Sequence, residues 1–315
     1  MKKKGLIISV GRSDYDRYYP ILEEFKKSKK IHAFLYLTDD HYDAKYGSTH
    51  EFVNKKFNII KKNYKRSSKT KIQRFSEDLI LIDSSIKKIK PDFIVVLGDR
   101  YEMLLGPLAC VPKKIPLLHF YGGAITEGSS DELVRHAITK MSHLHFVAHD
   151  EYKKRLVQLG EESWRIKITG VLSLQEIKKL KFLNKSKLSK FYNFDLSKPY
   201  AMFTYHPTTH EAKNIEKKII LILNVLKKKK LNVVITYPNA DPMSTKIINF
   251  FKSSTKDKRK YLIVKNCGFK NYMNLSKFSE FMIGNSSSGL VESGTLKIPS
   301  INIGIRQKGK ILPKN

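Results

Sequence analysis

Carboxylates that closely follow short apolar runs are the residues of this sequence best suited to proton transfer. Asp99 comes two residues after the run Phe93–Leu97, where it could act as a base or cap the following helix. Glu127, Asp131 and Glu132 follow the next apolar run and a pair of glycines. Carboxylates held close together shift each other's pKa values apart, which suits acid–base work. Any one of them alone could instead cap a helix, so both roles stay open.

A run of serines ending in glycine offers groups that could bind phosphate. The run consists of Ser286, Ser287, Ser288 and Gly289. It joins a strand candidate to a helix candidate, and hydroxyls and backbone N–H groups at a helix start attract anions. Glu292 lies one turn further on, where it could accept hydrogen bonds from sugar hydroxyls. Arg306, after the next strand, could reach the same phosphates.

Two arginines and a histidine also follow strand candidates. Arg12 comes after the first strand and a glycine, where it could contact phosphate or lie exposed in an ordinary turn. Arg100 adjoins Asp99 and would favour its ionised form. His206 follows the first strand of the second half, and it could face a cleft between the two halves or be structural.

An alternation of strands and helices must position these residues. The strand candidates are continuous apolar runs, as expected for a parallel sheet covered on both faces. The strand candidates are Leu6–Val10, Ala33–Leu37, Phe93–Leu97, Leu117–Phe120, His145–Ala148, Ile166–Thr169, Ala201–Thr204, Asn232–Thr236, Leu262–Val264, Phe281–Ile283 and Ser300–Ile303. The helix candidates are Tyr18–Lys29, Arg74–Lys90, Tyr101–Val111, Asp131–Met141, Asp150–Leu159, Asn214–Lys229, Pro242–Lys252 and a helix from Gly289.

The lysine-rich stretch Lys178–Lys190 interrupts this alternation; it could be a helix but looks like an interdomain region. We therefore predict an α/β protein of two Rossmann-like domains, residues 1–175 and residues 176–315. In such folds ligands bind at the carboxyl ends of the strands, which predicts a cleft between the domains as the site.

The composition narrows the class of protein. The chain has 315 residues, 41% of them apolar, which suffices for two cores. Its two cysteines, Cys110 and Cys267, lie far apart and favour a reducing compartment. The N-terminal run is too short for a signal peptide, and no apolar run has the roughly 20 residues needed to cross a bilayer. We expect a cytoplasmic protein that does not bind membranes.

The net charge and the closely spaced histidines raise two possibilities, nucleic-acid binding and metal binding, and we expect neither. The net charge is +31, but the lysines are spread along the chain with few aromatics between them. Lysines on the solvent-exposed faces of helices explain this pattern better than a nucleic-acid-binding surface does. His143, His145 and His149 lack an acidic or thiol partner at ligand spacing, so we predict no metal site.

Taken in order, these motifs resemble the hydrolysing branch of the UDP-N-acetylglucosamine 2-epimerase family, which includes enzymes of bacterial sialic acid synthesis. The matching segments are Gly98–Arg100, Gly122–Gly128, Asp131, Arg135–Lys140, Tyr205–Pro207, Gly284–Gly289 and Arg306–Gly309. They extend over nearly the whole chain, and their common order makes the resemblance far more specific than any one motif.

The resemblance implies a GT-B fold in which the second domain holds most of the UDP. It implies elimination of UDP, then addition of water to a glycal-like intermediate with inversion at C2. The products would be UDP and N-acetylmannosamine, or a relative if the substrate is another UDP-2-acetamido sugar. It also implies no cofactor, a homodimer or larger homo-oligomer, and a role in sialic acid or other nonulosonic acid synthesis for surface polysaccharides.

The resemblance also assigns roles to residues. The catalytic candidates are Asp99, Glu127, Asp131 and His206. The UDP-binding candidates are Arg12, Arg100, Ser286, Ser287, Ser288, Gly289, Glu292 and Arg306. The three carboxylates would act from the first domain, His206 would lie on the phosphate side, and Glu292 would hold the ribose.

The chain departs from the family pattern at two places. Tyr121 and Ala124 replace an acid or histidine near the glycine pair. Family members usually continue well beyond Arg306, so we expect a shortened second domain. A GT-B glycosyltransferase would share the UDP site without needing the acids, and an inactive UDP-sugar-binding remnant would fit a short chain. A nucleic-acid binder is supported only by charge.

Overall fold

The computed structural model describes residues 2–43, 48–53, 57–60, 70–127, 131–208, 214–238 and 243–311. The chain divides into two compact units, which we call the first domain (Met1–Ile125 and Ser130–Leu172) and the second domain (Thr126–Ser129 and Ser173–Asn315). The short segment from Thr126 thus belongs to the second domain although its sequence neighbours belong to the first. Each domain contains a parallel sheet with helices, which confirms the predicted fold class.

The described part of the first domain has a parallel sheet in the order β3-β2-β1-β4-β5-β6-β7. Its strands are β1 (Lys3–Ser9), β2 (Ile31–Leu37), β3 (Asn58–Ile60), β4 (Phe93–Leu97), β5 (Leu117–Phe120), β6 (Leu144–Val147) and β7 (Ile166–Ile168). Its helices are α1 (Arg12–Lys27), α2 (Lys71–Ile89), α3 (Leu105–Cys110), α4 (Asp131–Lys140) and α5 (Asp150–Gln158). Helix α6 (Leu172–Lys179) begins at the domain boundary.

The described part of the second domain has a smaller parallel sheet in the order β10-β9-β8-β11-β12. Its strands are β8 (Tyr200–Thr204), β9 (Asn232–Thr236), β10 (Tyr261–Val264), β11 (Phe281–Gly284) and β12 (Ser300–Asn302). Its further helices are α7 (Lys185–Tyr192), α8 (Ile215–Lys228), α9 (Ser244–Ser254), α10 (Gly268–Lys277) and α11 (Ser288–Leu296).

Local sequence explains why these elements form. The central strand β1 carries Leu6, Ile7 and Ile8, all fully buried, as a continuous apolar run requires. Helix α2 starts in a capping box, in which Thr70 and Gln73 each bond to the other's backbone N–H. None of the described helices is both long enough and apolar enough to cross a membrane.

Each sheet reverses its strand order at one place, between β1 and β4 in the first domain and between β8 and β11 in the second. The connections leave such a switch point toward opposite faces of the sheet, and the carboxyl ends of the two strands then border a crevice where ligands bind. The motifs that follow β1, β4, β8 and β11 are those singled out in the sequence, so the topology places most of the candidate residues at the two switch points.

Several elements differ from the prediction. Strand β3 and helix α10 were not predicted, and α1 begins at Arg12 rather than at Tyr18. The lysine-rich stretch, for which a helix or an interdomain region was expected, ends α6 and forms most of α7. The N-cap of α7, Asn184, accepts a hydrogen bond from the backbone of Lys187.

Candidate active site

Asn285, the first residue after β11, joins both loops of the second-domain switch point. It is fully buried; its Oδ1 accepts from the His206 N–H at 2.6 Å, and its Nδ2 donates to the His206 carbonyl at 2.7 Å. Its own carbonyl accepts from Gln307 Nε2 at 2.8 Å and from Arg306 Nη1 at 3.2 Å. One asparagine therefore fixes the backbone of His206 and the approach of Arg306, two of the predicted site residues.

The serine-rich turn follows Asn285 directly. Helix α11 starts at Ser288, and the N-cap residue Ser287 makes no side-chain capping bond. Ser286 Oγ accepts from the Ser288 N–H at 3.3 Å, and the turn through Gly289 is partly exposed. A helix N-terminus carries partial positive charge, and hydroxyls beside it can donate to an anion. This is the arrangement that the predicted phosphate site requires.

Glu292 lies one turn into α11 and is 6% exposed. Its Oε1 accepts a hydrogen bond from the Ser173 hydroxyl at 2.9 Å. Burial raises the pKa of the nearby Tyr272 phenol to about 12, and the negative charge of Glu292 adds to that rise. The carboxylate predicted to hold a ribose is thus buried close to Tyr272 and oriented by at least one donor.

Strand β11 ends in a glycine because no other residue fits there. Gly284 has a φ of +135°, and a Cβ at this position would lie 1.8 Å from the Thr204 carbonyl oxygen. This close approach of β11 to β8 places Asn285 within reach of His206.

Asp99, at the first-domain switch point, is paired with Arg135 of α4. The Arg135 guanidinium donates to Asp99 Oδ2 and, at 2.6 Å, to the Ala124 carbonyl. Arg135 is 1% exposed, whereas the Asp99 side chain is 32% exposed and so remains accessible. The turn Tyr101–Leu104 has Arg100 as its N-cap, with no capping bond from that side chain. Asp99 is therefore held by a buried cation.

Arg100 is surrounded by other carboxylates. Its guanidinium donates to Glu102 at 3.1 Å and 3.2 Å and to Asp40 at 3.3 Å. Asp14, in the first turn of α1, is 4% exposed and accepts from the Val10 N–H at 2.9 Å. Burial raises the pKa of Asp14 to about 6, although Arg100 opposes the rise. The cation beside Asp99 in sequence thus acts mainly on a different group of acids.

The turn after β5 holds a tyrosine in an unfavourable conformation. Tyr121 has a φ of +66°, and its hydroxyl accepts from the Leu172 N–H at 2.8 Å. The Arg17 guanidinium lies 5.7 Å from the Tyr121 ring centroid, and Arg155 donates to the Gly123 carbonyl. A left-handed tyrosine costs about 1–3 kcal/mol and persists only where its surroundings fix it, as at many functional sites.

The three predicted acids do not all belong to the first domain. Asp99 and Asp131 do, and Asp131 is the first residue of α4. Glu127 belongs to the second domain. Its N–H donates to the Lys308 carbonyl at 3.2 Å, and its carboxylate pairs with the Lys308 ammonium at 2.7 Å. Glu127 is thus paired within the second domain, and its acid–base role stays a prediction.

The remaining candidates are Arg12 and the closely spaced histidines. The backbone of Arg12 begins α1, and its side chain lies outside the described part of the structure. Each histidine has a structural partner: His143 accepts from a backbone N–H, His145 contacts Glu161, and His149 caps α5. Within the described residues, no three His, Cys, Asp or Glu side chains are grouped to hold a metal ion.

Three residues that organise the site were not among the predicted site residues. Asn285 adjoins the serine run and Arg135 follows the acids, so both had a local signal. Ser173 had none, because its partner Glu292 is 119 residues away. Contacts of this kind depend on how the chain folds back and cannot be read from spacing.

Comparison with protein families gives one extended match. The family described as UDP-N-acetylglucosamine 2-epimerase matches residues 23–312. A Campylobacter jejuni protein named GDP/UDP-N,N'-diacetylbacillosamine 2-epimerase (hydrolyzing) is 38% identical, over 100% of this chain and 83% of that protein. The Escherichia coli polysialic acid biosynthesis protein P7 is 35% identical, over 98% of this chain and 80% of that protein.

A solved structure has the same fold. The crystal structure of UDP-GlcNAc 2-epimerase from Neisseria meningitidis bound to UDP-GlcNAc superposes with a TM-score of 0.79 and 18% identity. The match covers 95% of this chain and 82% of that one. At this identity the likeness concerns the fold alone.

Proposed function

Because the chain belongs to the UDP-N-acetylglucosamine 2-epimerase family, we propose that it is a hydrolysing epimerase that converts a UDP-2-acetamido sugar into UDP and the free 2-epimer. The family predicted from the motifs is thereby confirmed. The proposed substrate is UDP-N-acetylglucosamine or a related sugar, and the product is N-acetylmannosamine or its relative.

The observation that carries the proposal is the assembly around Asn285. Its side chain holds the His206 backbone, and its carbonyl accepts a hydrogen bond from Arg306. The serine turn and the start of α11 follow it directly. A cation, a histidine, hydroxyls and a helix N-terminus gathered at one switch point suit a diphosphate, both when it is bound and when it departs as a leaving group.

The proposed reaction has two steps. In the first, a carboxylate removes the C2 proton, the C1–O bond to the diphosphate breaks, and the C2–H electron pair forms the C1=C2 double bond. In the second, a water oxygen adds to C1 and gives up a proton to a carboxylate, while an acid on the opposite face donates a proton to C2. Asp99 and Asp131 are the proposed acid–base pair. Arg135 would hold Asp99 in place while leaving it accessible.

The choice among UDP-2-acetamido sugars rests on the relatives. The Campylobacter jejuni relative is named for a diacetylbacillosamine substrate, which carries a second acetamido group. The Escherichia coli relative is named for polysialic acid biosynthesis. These names support a role in sialic acid or nonulosonic acid synthesis for surface polysaccharides, and they favour a substrate that also carries a 4-acetamido group.

The test is to incubate the purified protein in deuterated water with UDP-N-acetylglucosamine and, separately, with UDP-N,N'-diacetylbacillosamine. We expect free UDP, the free 2-epimer and one deuterium at C2, with the larger kcat/KM for the diacetamido sugar. Sugar transfer to an acceptor would indicate a glycosyltransferase, and binding without UDP release would indicate a remnant. Product that keeps the substrate's C2 hydrogen would exclude elimination and hydration.

A further inference from the structure

Ser173 holds the carboxylate that the proposed function assigns to the ribose. We infer that Ser173 is a positioning residue for nucleotide recognition: its hydroxyl fixes Glu292 in the orientation that accepts the ribose hydroxyls of UDP. The inference rests on the proposed function and extends it to a residue that contacts Glu292 from a distant part of the chain.

The hydrogen bond joins two buried groups. Ser173 is 2% exposed and Glu292 is 6% exposed, and the hydroxyl donates to Oε1 at 2.9 Å. A buried carboxylate requires donors, since an unsatisfied one costs the free energy of removing it from water. A serine supplies one donor, while a carboxylate offers about four lone-pair sites. The Ser173 bond therefore occupies only one of these sites and need not break when UDP binds.

The packing of α6 against α11 keeps the serine in place. Ile177, Met273 and Leu296 form a buried apolar cluster that joins α6, α10 and α11. Residues four positions apart share one face of a helix. Ser173 lies four residues before Ile177, and Glu292 lies four residues before Leu296. The apolar contact therefore sets the separation at which the polar contact forms.

Fixing Glu292 in advance should increase affinity for the ribose. A glutamate side chain has several rotatable bonds, and ordering them on binding costs free energy that a preorganised side chain avoids. Without the hydroxyl, the carboxylate would lose one of the donors that hold it toward the ribose. The loss should appear only with ligands that carry ribose hydroxyls.

The experiment compares UDP with 2′,3′-dideoxy-UDP by titration calorimetry. The wild type should bind UDP more tightly than the dideoxy nucleotide. Ser173→Ala should weaken UDP binding about 10-fold, the scale of one hydrogen bond to a charged group, and should barely change dideoxy-UDP binding. Ser173→Thr keeps the hydroxyl and should restore much of the preference for UDP.

Ser293→Ala is the matched control. Ser293 is fully buried on the same helix, and its hydroxyl donates to the Gly289 carbonyl at 2.7 Å. Its loss should lower stability, as any buried hydroxyl deletion does, but leave the ratio of the two affinities unchanged. If Ser173→Ala does not fold, Ser173→Cys preserves the volume with a weaker donor and should give an intermediate ratio.

The outcomes test the ribose role of Glu292 and the positioning role of Ser173 separately. A wild type that binds both nucleotides equally would overturn the ribose role of Glu292, and the role of Ser173 with it. A wild type that prefers UDP, with a Ser173→Ala variant that retains the full preference, would overturn the role of Ser173 alone. Epimerase activity is measured separately and tests only the proposed function.

Discussion

Two buried residues, Arg135 and Asn285, hold candidate site residues at the two switch points. Arg135 is 1% exposed and holds Asp99, and Asn285 is fully buried and holds the backbone of His206. In both cases the polar atoms of the supporting residue form hydrogen bonds to other residues of the chain. Substituting a support and substituting the residue it holds should therefore have different effects on stability and on function.

Asp131→Asn tests the proposed proton transfer. The amide keeps the size of the carboxylate but cannot take up a proton, so turnover should fall by about 100-fold or more. UDP affinity should be unchanged, because the second domain carries the proposed UDP site.

Asp99→Asn should lower turnover to a similar extent. It should also lower the free energy of unfolding by about 1–3 kcal/mol, because buried Arg135 loses its counter-charge. Steady-state kinetics, calorimetry and urea unfolding measure these effects, and normal turnover in either variant would contradict the assignment.

Asn285→Asp should uncouple His206 from the phosphate site. The new carboxylate cannot donate to the His206 carbonyl and would repel it, so UDP affinity should fall by about 10-fold or more. Asn274→Asp is the control, since Asn274 is also buried and also uses both side-chain atoms, toward Leu183 N–H and the Lys270 carbonyl. Calorimetry with UDP should show a loss for Asn285→Asp alone. Equal losses in both variants would mean that general destabilisation, not positioning, explains the result.

Most candidate residues could be chosen from the sequence by residue type and position. The charged side chains that pair with them could not. Asp99 is adjacent to Arg100 in sequence, yet the cation that pairs with it is Arg135. Glu127 lies close to Asp131 in sequence, but the cation that pairs with it, Lys308, comes from a distant part of the chain. Adjacent side chains at a strand end point in different directions, so closeness in sequence is a poor guide to which charges meet.

At the scale of elements, the junction between β1 and α1 contains a carboxyl group whose ionisation is unfavourable. Burial raises the pKa of Asp14 to about 6, whereas an unfolded aspartate has a pKa near 3.9. The folded state therefore binds this proton more tightly than the unfolded state does. Its contribution to stability is fully present below about pH 4 and is lost as the pH rises through about 6.

Asp14→Asn should remove this pH dependence. Asparagine can still accept from the Val10 N–H but has no charge to bury, so its stability relative to the wild type should rise between pH 4 and pH 7. The full change is on the order of 3 kcal/mol. Urea unfolding of both proteins across that range measures it. Parallel pH profiles for the two proteins would show that Asp14 does not titrate as its burial implies.

The end of β11 should tolerate no side chain. Gly284→Ala would place a Cβ 1.8 Å from the Thr204 carbonyl oxygen, so β11 and β8 must separate. We expect a loss of several kcal/mol in stability, with loss of UDP binding because Asn285 moves. In Gly289→Ala the nearest atom to the new Cβ is 3.6 Å away, so the melting temperature should be preserved. Equal melting temperatures for the two variants would refute this account of Gly284.

Strongly apolar elements could be predicted, whereas weakly patterned ones could not. Strands β4, β5 and β9 were predicted with the observed bounds, because each is a compact apolar run. Helix α10 was missed because it opens with glycine and contains asparagine and serine, which have low helix propensity. Tertiary contacts stabilise it instead, through Met273 and Leu275, which are buried.

At the scale of the whole molecule, the net charge of +31 is the most conspicuous property. Several lysines are exposed on helices and pair with nearby acids, as Lys27 does with Glu24 and Lys154 with Glu151. Such exposed pairs contribute little to stability and belong to a solvated surface. We therefore expect duplex DNA to bind weakly, with no binding left at about 0.2 M salt. Fluorescence anisotropy with labelled duplexes tests this, and sequence-selective nanomolar binding at that salt would contradict it.

The pairing of Glu127 with Lys308 has a consequence for how the protein is made. Domains generally fold in order as the ribosome extends the chain, at about 5–20 residues per second. Lys308 is synthesised about 180 residues after Glu127, a delay of about 10–40 s at that rate. During translation the first domain can close around its sheet while Glu127 still has no lysine to pair with. The contact between Glu127 and Lys308 therefore forms only after residue 308 has been made, later than the first domain can fold.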